Sequence, residues 1–198
     1  MSSISHFLKL LENYEAACLS ACRNAYCNAT EHTLDDRPSP GYGQYYYTEE
    51  DNKRRTRDLS AALLKLGYGL IKVDGTTYYE MNGSDEAVEA TETSLVVFNI
   101  NDDHDFYANI FHLSELYNQD CFLYKEKGSN RRYIIGTNNA DYPGYGNKVA
   151  TRWVHKNIIN EIRKRISAVS WKDKPATNCR EELIDAFDLK CDSDCFEV

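Results

Sequence analysis

The sequence predicts an α+β fold: a largely antiparallel sheet of five or six strands packed by helices, with helical additions at both ends. Three observations predict it. Turn residues at Asp74-Gly75 and at Lys127-Gly128-Ser129-Asn130 separate apolar runs, which marks hairpins. Two stretches, opening near Thr48 and near Phe106, repeat apolar residues at helical spacing. Strict strand–helix–strand alternation is absent, which argues against a doubly wound parallel sheet.

Each element has its own justification. Residues 4–25 place Phe7, Leu8, Leu11, Ala16, Cys18, Leu19 and Cys22 at spacings that suit an amphipathic helix. Residues 30–43 carry Pro38, Pro40, Gly41 and Gly43 and read as a linker or ordered loop. Residues 1–43 are thus expected to form an appended helix and linker, and 44–150 the core domain. Tyr45-Tyr46-Tyr47 suits a strand, because aromatics fit a pleated surface. Thr48 with Asp51 three residues on resembles a capping box, followed by Leu59, Ala62, Leu63 and Leu66 on one stripe and closed by Gly67. Residues 70–73 and 77–81 form the first expected hairpin, and 82–90 an acidic loop. Leu95-Val96-Val97-Phe98 marks a further strand, and Phe106, Ile110, Leu113 and Tyr117 one helix stripe. Residues 121–125 and 131–136 form the second hairpin, and 137–149 a loop holding Pro143, Gly144 and Gly146. Ile158, Ile159, Ile162, Ile166 and Val169 line a long helix; Asn178 and Glu181 could cap a short one. Residues 151–198 are expected to be C-terminal helices and an acidic tail.

Composition excludes several classes. The 198 residues are 42% apolar and 27% charged, with a mean hydropathy of −0.62. No uncharged apolar run approaches the roughly 18 residues of a membrane span. Residues 1–18 lack a basic start and meet Glu12 and Glu15 early, so no secretory leader and no membrane partner are expected. The net charge of −8 disfavours nucleic-acid binding by the surface as a whole. The charge is uneven. Residues 178–198 set two cations against seven acids, net −5, whereas 151–174 set seven cations against two acids. These are two solvated faces of opposite sign that could touch each other, or a surface for a charged partner. Seven cysteines without a leader favour free thiols. Cys18 and Cys22, like Cys191 and Cys195, are four apart, but the two pairs are too distant in sequence for an ordinary zinc motif. Asp102-Asp103-His104-Asp105 reads as turn and cap residues rather than a metal site. No metal and no cofactor are expected.

Candidate site residues sit at helix starts and on strands. Asn52 and Arg55 fall in the first turns of the helix after Thr48, where cations oppose the helix dipole. That placement suits an anion or a buried carboxylate, or simply a solvated face. Glu92 and Ser94 share a strand face by period two. Lys72 lies mid-strand and would pair with Glu92 if covered. Cys121 is expected to be a strand thiol rather than a nucleophile working with His104 or His112. The glycines of 137–146 match no phosphate-binding pattern.

Several of these residues form a pattern. Asp51-Asn52-x-x-Arg55-x-x-x-Leu59 with Gly67 and Gly69, then Glu92-Thr93-Ser94-Leu95-Val96-Val97, then Tyr117-Asn118-Gln119-Asp120-Cys121, resembles a bacterial and phage domain-of-unknown-function family, number 3293. Gly136-Thr137 and Tyr142-Pro143-Gly144-Tyr145-Gly146-Asn147 are similar to an extension of its phage-encoded relatives. Thr56 stands where the family has Asn, and Leu95 where it has Phe. The likeness covers about residues 44–147. It implies a bacterial or phage setting, in the host cytoplasm or the virion, and no particular reaction. It also singles out Asn52, Arg55, Glu92, Ser94, Gln119 and Asp120. In one reading Arg55 and Glu92 are a buried structural lock. In the other, Arg55, Lys72 and Lys125 receive an anionic ligand that Gln119 orients. The expected function is that of a phage accessory protein acting by binding a host protein or virion component, without catalysis. The alternatives are a small enzyme or nucleotide- or phosphate-ligand-binding protein, and a structural virion protein.

Overall fold

A computed structural model describes residues 9–38, 45–81, 87–129 and 131–150, with backbone only for 74–81 and 87–91. The expected linker residues 39–43, the helices placed at 158–169 and 181–187, the charged segments 151–174 and 178–198, and Cys191 and Cys195 lie outside the described residues.

Among the described residues six strands form one sheet: β1 (Ala16–Ser20), β2 (Gly69–Met81), β3 (Ala87–Phe98), β4 (Cys121–Lys125), β5 (Arg132–Gly136) and β6 (Lys148–Ala150). Their order is β2-β3-β1-β4-β5-β6, and every neighbouring pair is antiparallel. Helices α1 (Glu49–Lys65) and α2 (Phe106–Leu116) lie on one face. The α+β expectation, with a largely antiparallel sheet, is met.

Local chemistry sets the helix ends. Thr48 Oγ1 accepts from the Asp51 amide at 3.1 Å, and the Asp51 carboxylate accepts from the Thr48 amide at 2.9 Å. The capping box therefore satisfies two amides that the helix start would leave unpaired. Leu66 is the C-cap of α1, and Gly67 follows at φ +82°, a conformation that glycine adopts without strain. Leu59 and Leu63 of α1 and Phe106, Ile110 and Leu113 of α2 meet Ala17, Leu19, Leu95, Val97, Phe122 and Ile135 of the sheet. That apolar layer is the core.

The first segment departs from its expectation. Residues 9–13 are helical, but 16–20 are β1, in the middle of the sheet between β3 and β4. Ala17, Leu19 and Ala21 face the core, while Ala16, Cys18 and Ser20 alternate to the other face. Small residues satisfy either period, so helical spacing carried over from Phe7, Leu8 and Leu11 misled the reading. Here the open ladder edges of β3 and β4 decide the conformation. Residues 16–20 are thus no part of a helical appendage: they supply a central strand.

Two smaller expectations also change. Asp74-Gly75 is not a hairpin turn. β2 runs through it with a register shift between Asp74 and Thr76, and pairs with β3 as far as Met81 and Ala87. An Asp-Gly pair suits a bulge as well as a tight turn, and the bulge keeps a much longer ladder intact. Residues 87–90 of the expected acidic loop are consequently strand. Tyr46 makes a single bridge to Ala25 rather than a strand. Among the described residues no helix is long and apolar enough to cross a membrane.

Candidate functional site: the polar end of the sheet

Antiparallel order brings the exit of β1, the entrance of β4, the exit of β5 and the start of α1 to one end of the sheet. Polar side chains concentrate there. Arg23, three residues past β1, donates from Nη1 to Asp120 Oδ1 at 2.6 Å, from Nε to the Ala25 carbonyl at 3.2 Å and from Nη2 to the Cys27 carbonyl at 3.3 Å. Asn52 grips the Arg23 backbone at both ends. Its Oδ1 accepts from the Arg23 amide at 2.9 Å, and its Nδ2 donates to the Arg23 carbonyl at 3.0 Å. Gln119 Nε2 donates to the carbonyls of Cys22 at 3.1 Å and Tyr117 at 3.2 Å. Asn138 Nδ2 donates to Asp120 Oδ1 at 2.7 Å and to Asn118 Oδ1 at 3.2 Å. The Thr137 hydroxyl donates to the Gln119 carbonyl at 2.6 Å. Asn118, Gln119, Thr137 and Asn138 are buried, and buried polar groups hold loops in place because each would be costly without its partner.

Arg55 is the anchor beneath this end. It is 1% exposed. Its Nε donates to the Ala21 carbonyl at 2.8 Å, Nη1 to Asp36 Oδ2 at 2.7 Å and Nη2 to the Tyr117 carbonyl at 2.5 Å. Its guanidinium stacks 4.4 Å from the Tyr47 ring centre, and the Tyr47 hydroxyl donates to Asp36 Oδ1 at 2.8 Å. Burial first, then that bond to Asp36, hold the Tyr47 phenol well above its usual range. Arg55 is thus in a lock, but the carboxylate is Asp36 rather than Glu92. The correction has a simple cause. Residues 30–38, read as part of a linker, are tied down: the Leu34 amide donates to the Leu116 carbonyl at 2.9 Å, and the Thr30 hydroxyl to Glu115 Oε1 at 2.8 Å. That places Asp36 beside Arg55.

Glu92 and Ser94 share the sheet face opposite the helices, with Cys18 and Cys121. Burial, then the nearby Glu92 carboxylate, push the Cys18 thiol up to about 12. Burial, then Asp120 and Glu92, push Cys121 up to about 12. Both thiols are therefore protonated at neutral pH and poor nucleophiles.

The three cations of the anion-site reading do not meet. Lys72 lies opposite Leu95, on the helix-covered face, and is exposed. Lys125 lies in register with Ala16 on the other face and is buried, donating from Nζ to the Glu126 carbonyl at 3.1 Å. Burial first, then Arg132, push the Lys125 pKa down. Arg55 is enclosed with Asp36. One sheet separates Lys72 from Lys125, so a single small anion does not reach both. Asp103, His104 and Asp105 bring ligand atoms close together, but Asp103 Oδ2 accepts from the Tyr68 hydroxyl at 2.7 Å and the cluster is turn chemistry at the start of α2.

Of the group Asn52, Arg55, Glu92, Ser94, Gln119 and Asp120 singled out in the sequence, the structure brings Asn52, Arg55, Gln119 and Asp120 to this end of the sheet and leaves Glu92 and Ser94 on the face opposite the helices. Sequence reasoning missed Arg23, Asp36, Tyr47, Asn118 and Asn138. Asn118, at φ +56° beside Gln119-Asp120, carried a usable signal, since asparagine tolerates left-handed turns. Arg23, Asp36 and Tyr47 carried none, because only the fold brings them in.

A different region is set apart by the sign of its charge. From Asp74 to Tyr124 the sequence holds eleven acidic residues and no Lys or Arg; six of the eleven fall within 74–92. β1 pairs with β3 only as far as Ser94, whereas β2 and β3 stay paired out to Met81 and Ala87. Among the described residues the outer part is therefore a two-stranded ribbon beyond the sheet.

No family model matches the chain, and no curated protein matches it. Among solved structures, a phage SAM lyase in complex with S-methyl-5′-thioadenosine is similar at 16% identity and a TM-score of 0.27, over 72% of this chain and 92% of that one. A TM-score that low carries no argument about this chain's fold or activity.

Proposed function

We propose that the protein acts by binding a macromolecule with a basic surface, a host protein or a virion component in the phage setting the sequence resemblance implies, and that the β2–β3 ribbon is the binding element. The observation that carries this reading is the ribbon itself: two paired strands past the sheet, in a stretch with six acidic residues and no Lys or Arg. A lone two-stranded ribbon is marginal in water and gains from a partner. A concentrated negative field steers a basic partner and fixes its orientation. The polar end supports the same reading from the other side. Its side chains hold one another and the backbone, and the neighbouring thiols are protonated.

The test uses the full chain and a variant, E80Q/E86Q/E89Q. Cross-linking in bacterial cells, with the linked peptides identified by mass spectrometry, should join a basic protein to residues 74–92 of the parent chain. The variant should lose that link at an unchanged melting temperature. Equal cross-linking by both chains overturns the reading. A thermal shift with nucleotides would favour the small-ligand alternative, since a ligand at 100 times its Kd adds about 2.7 kcal/mol.

A further inference from the structure

Lys72 and Arg55 do not reach Lys125, but another cation does. Lys125 and Arg132 stand directly opposite each other on β4 and β5, on the sheet face away from α1 and α2. Side chains so placed have Cβ atoms about 5 Å apart, and like charges there oppose folding. Lys125 is also only 9% exposed, so water solvates little of it. Its internal partners do not offset that loss. Nζ donates to the Glu126 carbonyl at 3.1 Å, its single hydrogen bond among the described residues. An ammonium has three donors, so two are left without a described acceptor. Among the described residues no carboxylate lies within 4.0 Å of Nζ. Glu12 acts on it from farther away, and burial and Arg132 outweigh that influence.

We propose that Lys125 and Arg132 form a binding site for a small oxyanion, a carboxylate or a phosphate. The oxyanion accepts from the two remaining Lys125 donors and from the planar fork of Arg132, which matches two oxygens of either group. Its charge also cancels the repulsion within the pair. Leu123 and Ile134, next to the pair on the same face, are apolar, and a low-polarity surround strengthens the ionic hydrogen bonds. The neighbours set the size and the approach. Ala16 and Phe98, farther along the same row, are 3% and 0% exposed, so the ligand does not extend over β1 or β3. Arg132 and Ile134 are half-buried, which leaves the approach from the β5 side. The site is separate from the ribbon and independent of the partner proposed for it.

The test uses the full chain, with inorganic phosphate and acetate as separate probes and sodium chloride at equal ionic strength as the control. Trace reductive methylation of amines, followed by peptide mapping, reads Lys125 directly. At ten times its Kd a bound probe should slow methylation of Lys125 about tenfold, by the factor 1 + [L]/Kd. Exposed Lys65 and Lys127 should keep their rates. Saturable protection by either probe supports the site, and the tighter probe names the group. Protection by neither, or equally by chloride, overturns it. Two variants check the charges. K125M keeps the reach of the side chain without its ammonium. It should melt at a higher temperature than the parent in probe-free buffer, because a buried charge lacking a counter-charge is gone, and it should not respond to the probe. R132Q should fold and raise the probe's Kd several-fold. A K125M chain that melts below the parent would overturn the proposal in favour of a carboxylate of this chain as the partner of Lys125.

Discussion

The polar end of the sheet and the β2–β3 ribbon at its edge are built on opposite terms. At the polar end, charge is matched atom by atom: Arg55 with Asp36 and two carbonyls, Arg23 with Asp120 and two more. On the ribbon the charge is of one sign along the chain. The difference teaches where stability ends and recognition begins. Buried charge must find its partner inside the fold, and losing one partner is costly. A run of charge of one sign sets up a field that attracts a molecule of the opposite sign.

The comparison breaks most severely if the elements feeding the polar end are removed. Deleting residues 1–43 takes away β1, Arg23 and Asp36 together. That chain should show no cooperative melt, because β3 and β4 lose the strand between them. A cooperative melt near that of the full chain would mean that β1 is dispensable.

The next test separates the true lock from the expected one. Asp36→Ala leaves Arg55 buried without its carboxylate and should cost about 3–5 kcal/mol in denaturant melts. Glu92→Gln should cost less than about 1 kcal/mol. Combined with Arg55→Met, the Asp36 change should be strongly non-additive and the Glu92 change additive. The reverse pattern would restore Glu92 as the partner.

Backbone contact at the polar end offers a third test. A Cβ on Gly136 would stand 1.9 Å from the Gly144 carbonyl oxygen. Gly136→Ala should therefore force the 137–147 loop away and cost roughly 1–3 kcal/mol, as overpacking does. An unchanged melt would show that the loop moves freely.

The pH dependence sharpens the comparison further. The folded Cys18 and Cys121 thiols are raised to about 12, against an ordinary value near about 8.5. A raised folded value means the protonated thiol is favoured by folding. That stability is complete below about pH 8.5 and is lost as pH rises toward the folded value. Denaturant midpoints should fall between pH 8 and 9.5, before tyrosines titrate, and Cys18→Ala should flatten the slope. A midpoint rising over that range would sink the assignment.

The smallest effect is expected on the ribbon. E80Q/E86Q/E89Q should change stability by no more than about 0.5 kcal/mol, the usual range for surface substitutions. A larger loss would show that the acids are part of the fold rather than available to a partner.

Short-range chemistry was legible in the chain. The Thr48–Asp51 capping box, the Gly67 stop, the α2 stripe and the β4–β5 hairpin all follow from interactions spanning a few residues, and they sufficed for the α+β class. The motif that singled out Asn52, Arg55, Glu92, Ser94, Gln119 and Asp120 contains four residues that meet at the polar end, but it also took in Glu92 and Ser94, which lie on the other face of the sheet. What the tertiary structure alone decided is which distant pieces meet. Residues 16–20 became a strand because β3 and β4 present open ladders to them, although their own small residues suit a helix equally well. Asp36 became the partner of Arg55 because the Thr30 and Leu34 bonds hold its loop there. Lys72 and Lys125 were kept apart because side chains at odd and even offsets leave a sheet on opposite faces, and the register between distant strands is set by the whole sheet rather than by either strand.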